Sequence, residues 1–178
     1  MSDSSDSKTT QLLVLRSVSE VVTFYRLVLF IFILILISGC ASRKARIRDR
    51  QVGEVIKTAR TFTGTPYKWG GTTRSGMDCS GLTGNAFLAI NLTLPRSADA
   101  QAVVGEKVKM KDVRPGDLVF FATGKKRRDI THVGIVTEVK GKDNVKFIHA
   151  STTLGVVETN LYSEYYEKRF RIARRIID

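Results

Sequence analysis

The chain has 178 residues, 43% of them apolar, which fits one globular domain and excludes a disordered polymer. Its formal net charge is +12. Lys8, Arg16 and Arg26 balance Asp3, Asp6 and Glu20 in the first 39 residues, so the excess falls on residues 40–178. That excess favours a polyanionic partner without choosing among nucleic acid, anionic lipid and cell-wall polymer.

Residues 27–37 form an uninterrupted apolar run directly after Arg26. At helical rise the run covers about half of a bilayer core, short for a spanning helix and suited to a signal h-region. It ends in Ile37-Ser38-Gly39-Cys40, which resembles the bacterial lipobox. The resemblance implies cleavage before Cys40 and acylation of its sulfur, with the acyl chains anchoring the product in a membrane. A short uncleaved anchor is the alternative reading of the same residues. Ala41, not Asp, follows the cysteine. By resemblance to Gram-negative sorting signals this implies the outer membrane, facing the periplasm; in a Gram-positive host it implies the outer face of the plasma membrane. The expected organisation is a signal segment over 1–39, a lipidated basic tether over 40–51 and one domain over 52–178.

Residues 42–50 (Ser-Arg-Lys-Ala-Arg-Ile-Arg-Asp-Arg) are strongly basic, and repulsion between like charges predicts an extended tether. Val52, Val55, Ile56 and Ala59 follow the i, i+3, i+4, i+7 spacing of a helix over 52–62, ended by Gly64 and Pro66. A second helix is predicted from Cys79 to about Ile90, its apolar stripe formed by Cys79, Leu82, Ala86, Phe87 and Ile90 with Thr83 among them. Gly81 and Gly84 are costly inside a helix and predict close packing against another backbone. Ser97 is a candidate N-cap for a third helix over 98–104. From Asp117 onward the pattern shifts to short β-branched and aromatic runs at 118–121, 131–139, 145–150 and 155–159, with Gly141-Lys142-Asp143-Asn144 turning a hairpin between the second and third. A helical turn over 162–168 and a final strand over 170–177 complete the chain. Helices first and strands after predict an α+β fold with an antiparallel sheet.

The two histidines, His132 and His149, fall on the two arms of that hairpin. Side chains of neighbouring arms meet when they share a face. A thiol at a helix N-terminus has its anion stabilised by unpaired N–H groups, and a histidine beside it can hold the thiolate as an ion pair and later protonate a leaving amine. A further polar group then fixes that histidine's tautomer. Cys79, His132 and His149 supply these types, and the Cys79 N–H with the Tyr67 hydroxyl supplies candidate oxyanion donors. Against this, a free cysteine on an apolar stripe is commonly a core residue. Two histidines with one cysteine and no suitably spaced carboxylate make a weak zinc site.

Six motifs decide between these readings. Tyr67-Lys68-Trp69-Gly70-Gly71, Asp78-Cys79-Ser80-Gly81-Leu82, Leu94-Pro95-Arg96-Ser97, Pro115-Gly116-Asp117-Leu118-Val119-Phe120-Phe121, His132-Val133-Gly134-Ile135 and Phe147-Ile148-His149-Ala150-Ser151 occur in that order and span nearly all of 52–178. Together they resemble the NlpC family of cell-wall peptidases, and with the lipobox they are most similar to its Spr-type (MepS-type) lipoproteins. The resemblance implies a papain-like α+β fold, Cys79 as nucleophile, His132 as base and His149 as the orienting third residue. It places Tyr67, Asp78 and Ser80 on the substrate and oxyanion side. It implies peptide bonds of peptidoglycan as substrate, no metal or organic cofactor, no nucleic acid, and an envelope adaptor protein as a further candidate partner. Two features stand apart from the pattern, a long 136–144 connection and the basic run Lys125-Lys126-Arg127-Arg128 before the His132 strand. The run reads either as an attractor of stem-peptide carboxylates or as a solvated loop.

Overall fold

The computed structural model describes residues 4–178, with side chains described for residues 22–32 and 43–178. The Cys40 side chain, and with it the expected acylation, lies outside the described side chains, as do most side chains of the expected signal segment. The chain divides into two compact units, Met1–Arg46 and Ile47–Asp178. In the first, the described side chains of residues 22–32 are exposed, Phe24, Tyr25, Leu27 and Phe30 among them. Among the described residues no helix is long and apolar enough to cross a membrane.

Helix α1 is assigned to Ser4–Arg60, so residues 42–50 are helical and not extended. Arg, Lys and Ala are strong helix formers, and repulsion between solvated charges is a few tenths of a kcal/mol per pair, too little to unwind them. In the second unit Val55, Ile56 and Ala59 are buried as their spacing predicts. Helix α2, Cys79–Leu88, packs Leu82, Ala86 and Phe87 into the same core. Gly81 is needed for close approach, since a Cβ there would strike the Gly71 carbonyl oxygen; Gly84 has open space around it, contrary to expectation. Helix α3 is a single turn, Ala98–Gln101, shorter than predicted, and Ser97 at its N-cap position makes no capping bond. Buried Gln101 nevertheless ties it to α2, accepting from Thr83 Oγ1 at 2.7 Å and donating to Pro95 O at 2.8 Å.

The strands are β1 (Thr72–Thr73), β2 (Gly76–Met77), β3 (Glu106–Val108), β4 (Leu118–Phe121), β5 (His132–Val139), β6 (Val145–Ser151), β7 (Gly155–Asn160) and β8 (Phe170–Arg175), with α4 at Glu164–Arg169. Strands β1 and β2 form a small hairpin, and the rest make one antiparallel sheet in the order β3-β8-β4-β5-β6-β7. The predicted strands are present and the α+β class holds. Three short strands went unpredicted, because β1, β2 and β3 are formed by their partners and not by their own composition. In β3, Glu106 and Lys107 are exposed and the segment is held by pairing with Arg175 and Arg174 of β8.

The sheet separates two apolar clusters. Leu118, Phe120, Val133, Ile135, Ile148 and Ala150 join α1 and α2 in one core. Val119, Phe121, Val136, Phe147 and Ala173 form a second core beneath Tyr166 and Phe170. Buried Asp117 anchors the end of β4 through Arg175, whose Nε and Nη2 reach its two oxygens at 2.9 and 2.8 Å.

Candidate active site

Helix α2 begins at Cys79 because Asp78 caps it. Asp78 has extended backbone, and its Oδ1 accepts from the Gly81 N–H at 2.7 Å. The same carboxylate accepts from the Ser80 hydroxyl at 3.1 Å, the Gly70 N–H at 2.9 Å and both terminal nitrogens of Arg96 at 3.0 and 2.8 Å. Those donors hold the Asp78 carboxyl below the usual carboxylate range, overcoming the opposing effect of burial. Both of its oxygens are thus occupied inside the protein, and a carboxylate has no proton to give an oxyanion. Ser80 is held likewise, its Oγ accepting from Arg96 Nη1 at 2.9 Å. Arg96 was quoted in a motif but given no task by the sequence; the structure makes it the clamp that fixes the cap.

Cys79 is 6% exposed. Three backbone N–H groups, those of Val133, Ser80 and Cys79 itself, favour its thiolate, yet burial outweighs them and pushes the thiol up from its ordinary value. The helix N-terminus was expected to win; it does not, because desolvation of the anion is larger than its N–H contacts. The Val133 N–H also locates the start of β5, and with it His132, at the thiol.

His132 is the first residue of β5. Its Nε2 lies 3.0 Å from His149 Nδ1. Register explains the meeting: Ile135 faces Ile148 and Val136 faces Phe147, which puts His132 and His149 diagonally on one face. Gly134 stands between them by register, and a Cβ there would sit 2.5 Å from Phe147 Cδ2 and 3.1 Å from His149 Cβ. His149 Nε2 continues the chain to Thr159 Oγ1 at 3.1 Å and the Tyr166 hydroxyl at 3.3 Å. Burial lowers His132 to about 4. Burial first, and the neighbouring His132 second, lower His149 to about 3. Both rings are therefore neutral at pH 7. For His132 to accept a proton on Nδ1, its Nε2 must carry the hydrogen and donate to His149 Nδ1. His149 must then hold its own hydrogen on Nε2 and donate to Thr159 or Tyr166. Neither of these last two was singled out by sequence; a hydroxyl on β7 and a phenol on α4 carry no signal until the fold brings them to His149.

A groove of about 390 Å³ opens over Cys79, lined by Tyr67, Trp69, Ser80, Arg96, Asp99 and Thr131 among others. Burial, then the negative charges of Cys79 and Asp78, raise the Tyr67 hydroxyl, so it is a protonated donor beside the thiol. Among the described residues no group hydrogen-bonds that hydroxyl. Trp69 is 85% exposed at the mouth.

A thiol at a helix start, with the strand N–H next to an imidazole reaching it where the helical layer abuts an antiparallel sheet, is the arrangement of the papain-like cysteine peptidases. Comparison with known proteins narrows that class. The sequence pattern of the NlpC/P60 family matches residues 64–175, and the chain belongs to that family. The probable endopeptidase NlpC of Escherichia coli strain K12 is 36% identical over 159 residues, which cover 85% of this chain and 99% of that protein. The murein DD-endopeptidase MepS/murein LD-carboxypeptidase of the same strain is 39% identical over 135 residues, covering 75% of this chain and 63% of that one. A solved NlpC/P60 family protein from Bacillus cereus ATCC 10987 superposes with a TM-score of 0.64 at 30% identity, covering 71% of this chain and 40% of that one. The family and the papain-like α+β fold expected from the motifs are borne out.

Proposed function

We propose that this chain is a cysteine endopeptidase that hydrolyses peptide bonds in the stem peptides or cross-bridges of peptidoglycan. The observation that carries the mechanism is the 3.0 Å His132–His149 bond at the strand end whose Val133 N–H favours the Cys79 thiolate. Cys79 and His132 rest as neutral thiol and neutral imidazole. On substrate binding, Sγ bonds to the scissile carbonyl carbon while His132 Nδ1 takes the thiol proton. The Cys79 N–H and the Tyr67 hydroxyl donate to the oxyanion. His132 returns the proton to the leaving nitrogen as the C–N bond breaks, leaving a thioester. Water then adds, giving its proton to His132, and release of the carboxylic acid restores the thiol. His149 orients His132 throughout, and Asp78 with Arg96 and Ser80 fixes the helix start.

Purified protein incubated with isolated peptidoglycan is expected to release new muropeptides, resolved by chromatography and mass. Cys79→Ala should abolish release while the circular dichroism spectrum stays native; release unchanged by that substitution would falsify the assignment.

The cleavage motif before Cys40 and the exposed apolar side chains of residues 22–32 support a lipid-anchored envelope protein, in the outer membrane if the host is Gram-negative. Mass analysis of the mature amino terminus from cells should find acyl chains on Cys40, and an unmodified, uncleaved terminus would remove the anchor from the proposal.

A further inference from the structure

The loop between β4 and β5 has two sides. Thr131 closes it, its Oγ1 accepting from the Thr123 and Gly124 N–H groups at 3.0 and 3.1 Å. On one side Ile130 and Thr131 line the groove over Cys79. On the other, a separate pocket of about 440 Å³ is lined by Ala122, Gly124, Lys125, Arg127, Lys168, Arg169 and Arg171. Two of its guanidinium groups are held in place by backbone. Arg171 donates from Nε to Arg127 O at 2.6 Å and from Nη1 to Phe170 O at 2.7 Å. Arg169 donates to Tyr165 O at 3.1 Å and lies 3.8 Å over the Tyr165 ring. Among the described residues the one carboxylate paired with these five cations is Glu164, on Lys168 at 2.6 Å. Among the described residues Lys125, Arg127, Arg169 and Arg171 form no ion pair.

We propose that this pocket binds a phosphate group of a soluble anionic polymer, tethering the enzyme beside its substrate. Fixed guanidinium forks match the oxygen geometry of phosphate, and four unneutralised cations exceed what one carboxylate would balance. A polymer fits better than a membrane surface, because no large apolar side chain lines the pocket to enter a bilayer. The β4–β5 loop lines both this pocket, through Lys125 and Arg127, and the catalytic groove, through Ile130 and Thr131, so the polymer is held by a loop that also borders the groove.

Long-chain polyphosphate labelled with a fluorophore, titrated against the full chain at several salt concentrations, tests this. Binding should weaken steeply with salt, and Lys125→Gln/Arg127→Gln should lower affinity by about tenfold or more. Neither side chain makes a hydrogen bond or ion pair among the described residues, so the fold should survive. Lys107→Gln/Lys109→Gln, which removes the same charge elsewhere, should change affinity by less than about twofold. Equal losses in the two variants would reduce the pocket to net charge and overturn the site. Binding to phosphatidylglycerol vesicles with none to polyphosphate would overturn the polymer as occupant. Polyphosphate binding is read independently of hydrolysis, so its failure and that of the proposed peptidase activity are separate results.

Discussion

The two faces of the six-stranded sheet use alternate residues of the same strands but carry different chemistry. Toward the helices, Phe120, Ile135 and Ile148 are fully buried and make only apolar contacts. On the other face His132 and His149 sit among rings: Phe147 stacks on His149 at 4.8 Å, Tyr166 meets it edge-on at 5.1 Å, and Phe121 lies 6.2 Å from His132. The first face stores stability. The second shields a polar pair, and shielding has a consequence: neither ring can be left without a hydrogen-bond partner or hold a proton at low energetic cost. Hence the chain His132–His149–Thr159/Tyr166 closes on itself. The thiol belongs to the first face and the imidazole to the second, and the Val133 N–H, one residue along β5 from His132, reaches the thiol.

The largest effect should come from breaking the second face alone. His132→Ala should cost on the order of 10⁴-fold in kcat, about 5.5 kcal/mol of transition-state stabilisation. The melting temperature should fall by only a few degrees, since the variant orphans the buried His149 Nδ1 and leaves a cavity, a cost of about 1–3 kcal/mol and far smaller than the kinetic loss. A large loss of stability in that variant would show that the histidine face is also structural. The complementary break is Phe120→Ala. It should lower unfolding free energy by about 4 kcal/mol in a denaturant titration, while the folded fraction keeps its turnover.

Acidification acts on the second face more gradually. The folded pKa values of His132 and His149, about 4 and about 3, lie below the ordinary histidine value of 6.5. Between 6.5 and about 4 the unfolded chain therefore binds protons that the folded chain refuses, and stability should fall as pH falls through that window. His149→Gln should flatten the dependence. The thiol supplies the matching test on the first face. Because burial raises it, the rate of Cys79 alkylation by iodoacetamide should climb through pH 7 to 9 without a plateau. A plateau already reached at pH 6 would mean a resting thiolate–imidazolium pair and contradict the neutral one.

Much of this was legible because it is local. The short apolar runs of β4, β5 and β6 record burial on both faces of the sheet, and the stripe of α2 records burial on one side of the helix. Cys79, His132 and His149 were legible as types carried on a helix start and a hairpin, with the motif order assigning their roles. The sequence did not reveal that desolvation outweighs the helix N-terminus at Cys79, since that depends on how deeply neighbouring elements cover the sulfur. Nor did it show that Asp78 is saturated by Arg96, eighteen residues away, through a contact made only in the folded chain. Basic residues 42–50 misled for the opposite reason: charge repulsion was read as decisive where helix propensity was stronger.

The finest division lies within the second face, between Thr159 and Tyr166 as acceptors for His149. Thr159 Oγ1 is nearer, 3.1 Å against 3.3 Å. Tyr166, raised to about 12 by burial before any charge effect, keeps its proton and accepts only through its oxygen lone pairs. A neutral His149 Nε2–H donates to one of the two at a time, so each substitution leaves the other acceptor in place. Tyr166→Phe and Thr159→Val should therefore each reduce kcat only about two- to fivefold, near the lower end of what one neutral hydrogen bond contributes. The double variant leaves the Nε2–H unpaired in an aromatic enclosure, and its loss should exceed the product of the single losses. A purely structural role would lower stability in step with turnover. A role in fixing the tautomer lowers kcat with KM unchanged, and His149→Asn, which can still accept from His132, should then be insensitive to both substitutions. Additive losses in the double variant would place the acceptor elsewhere.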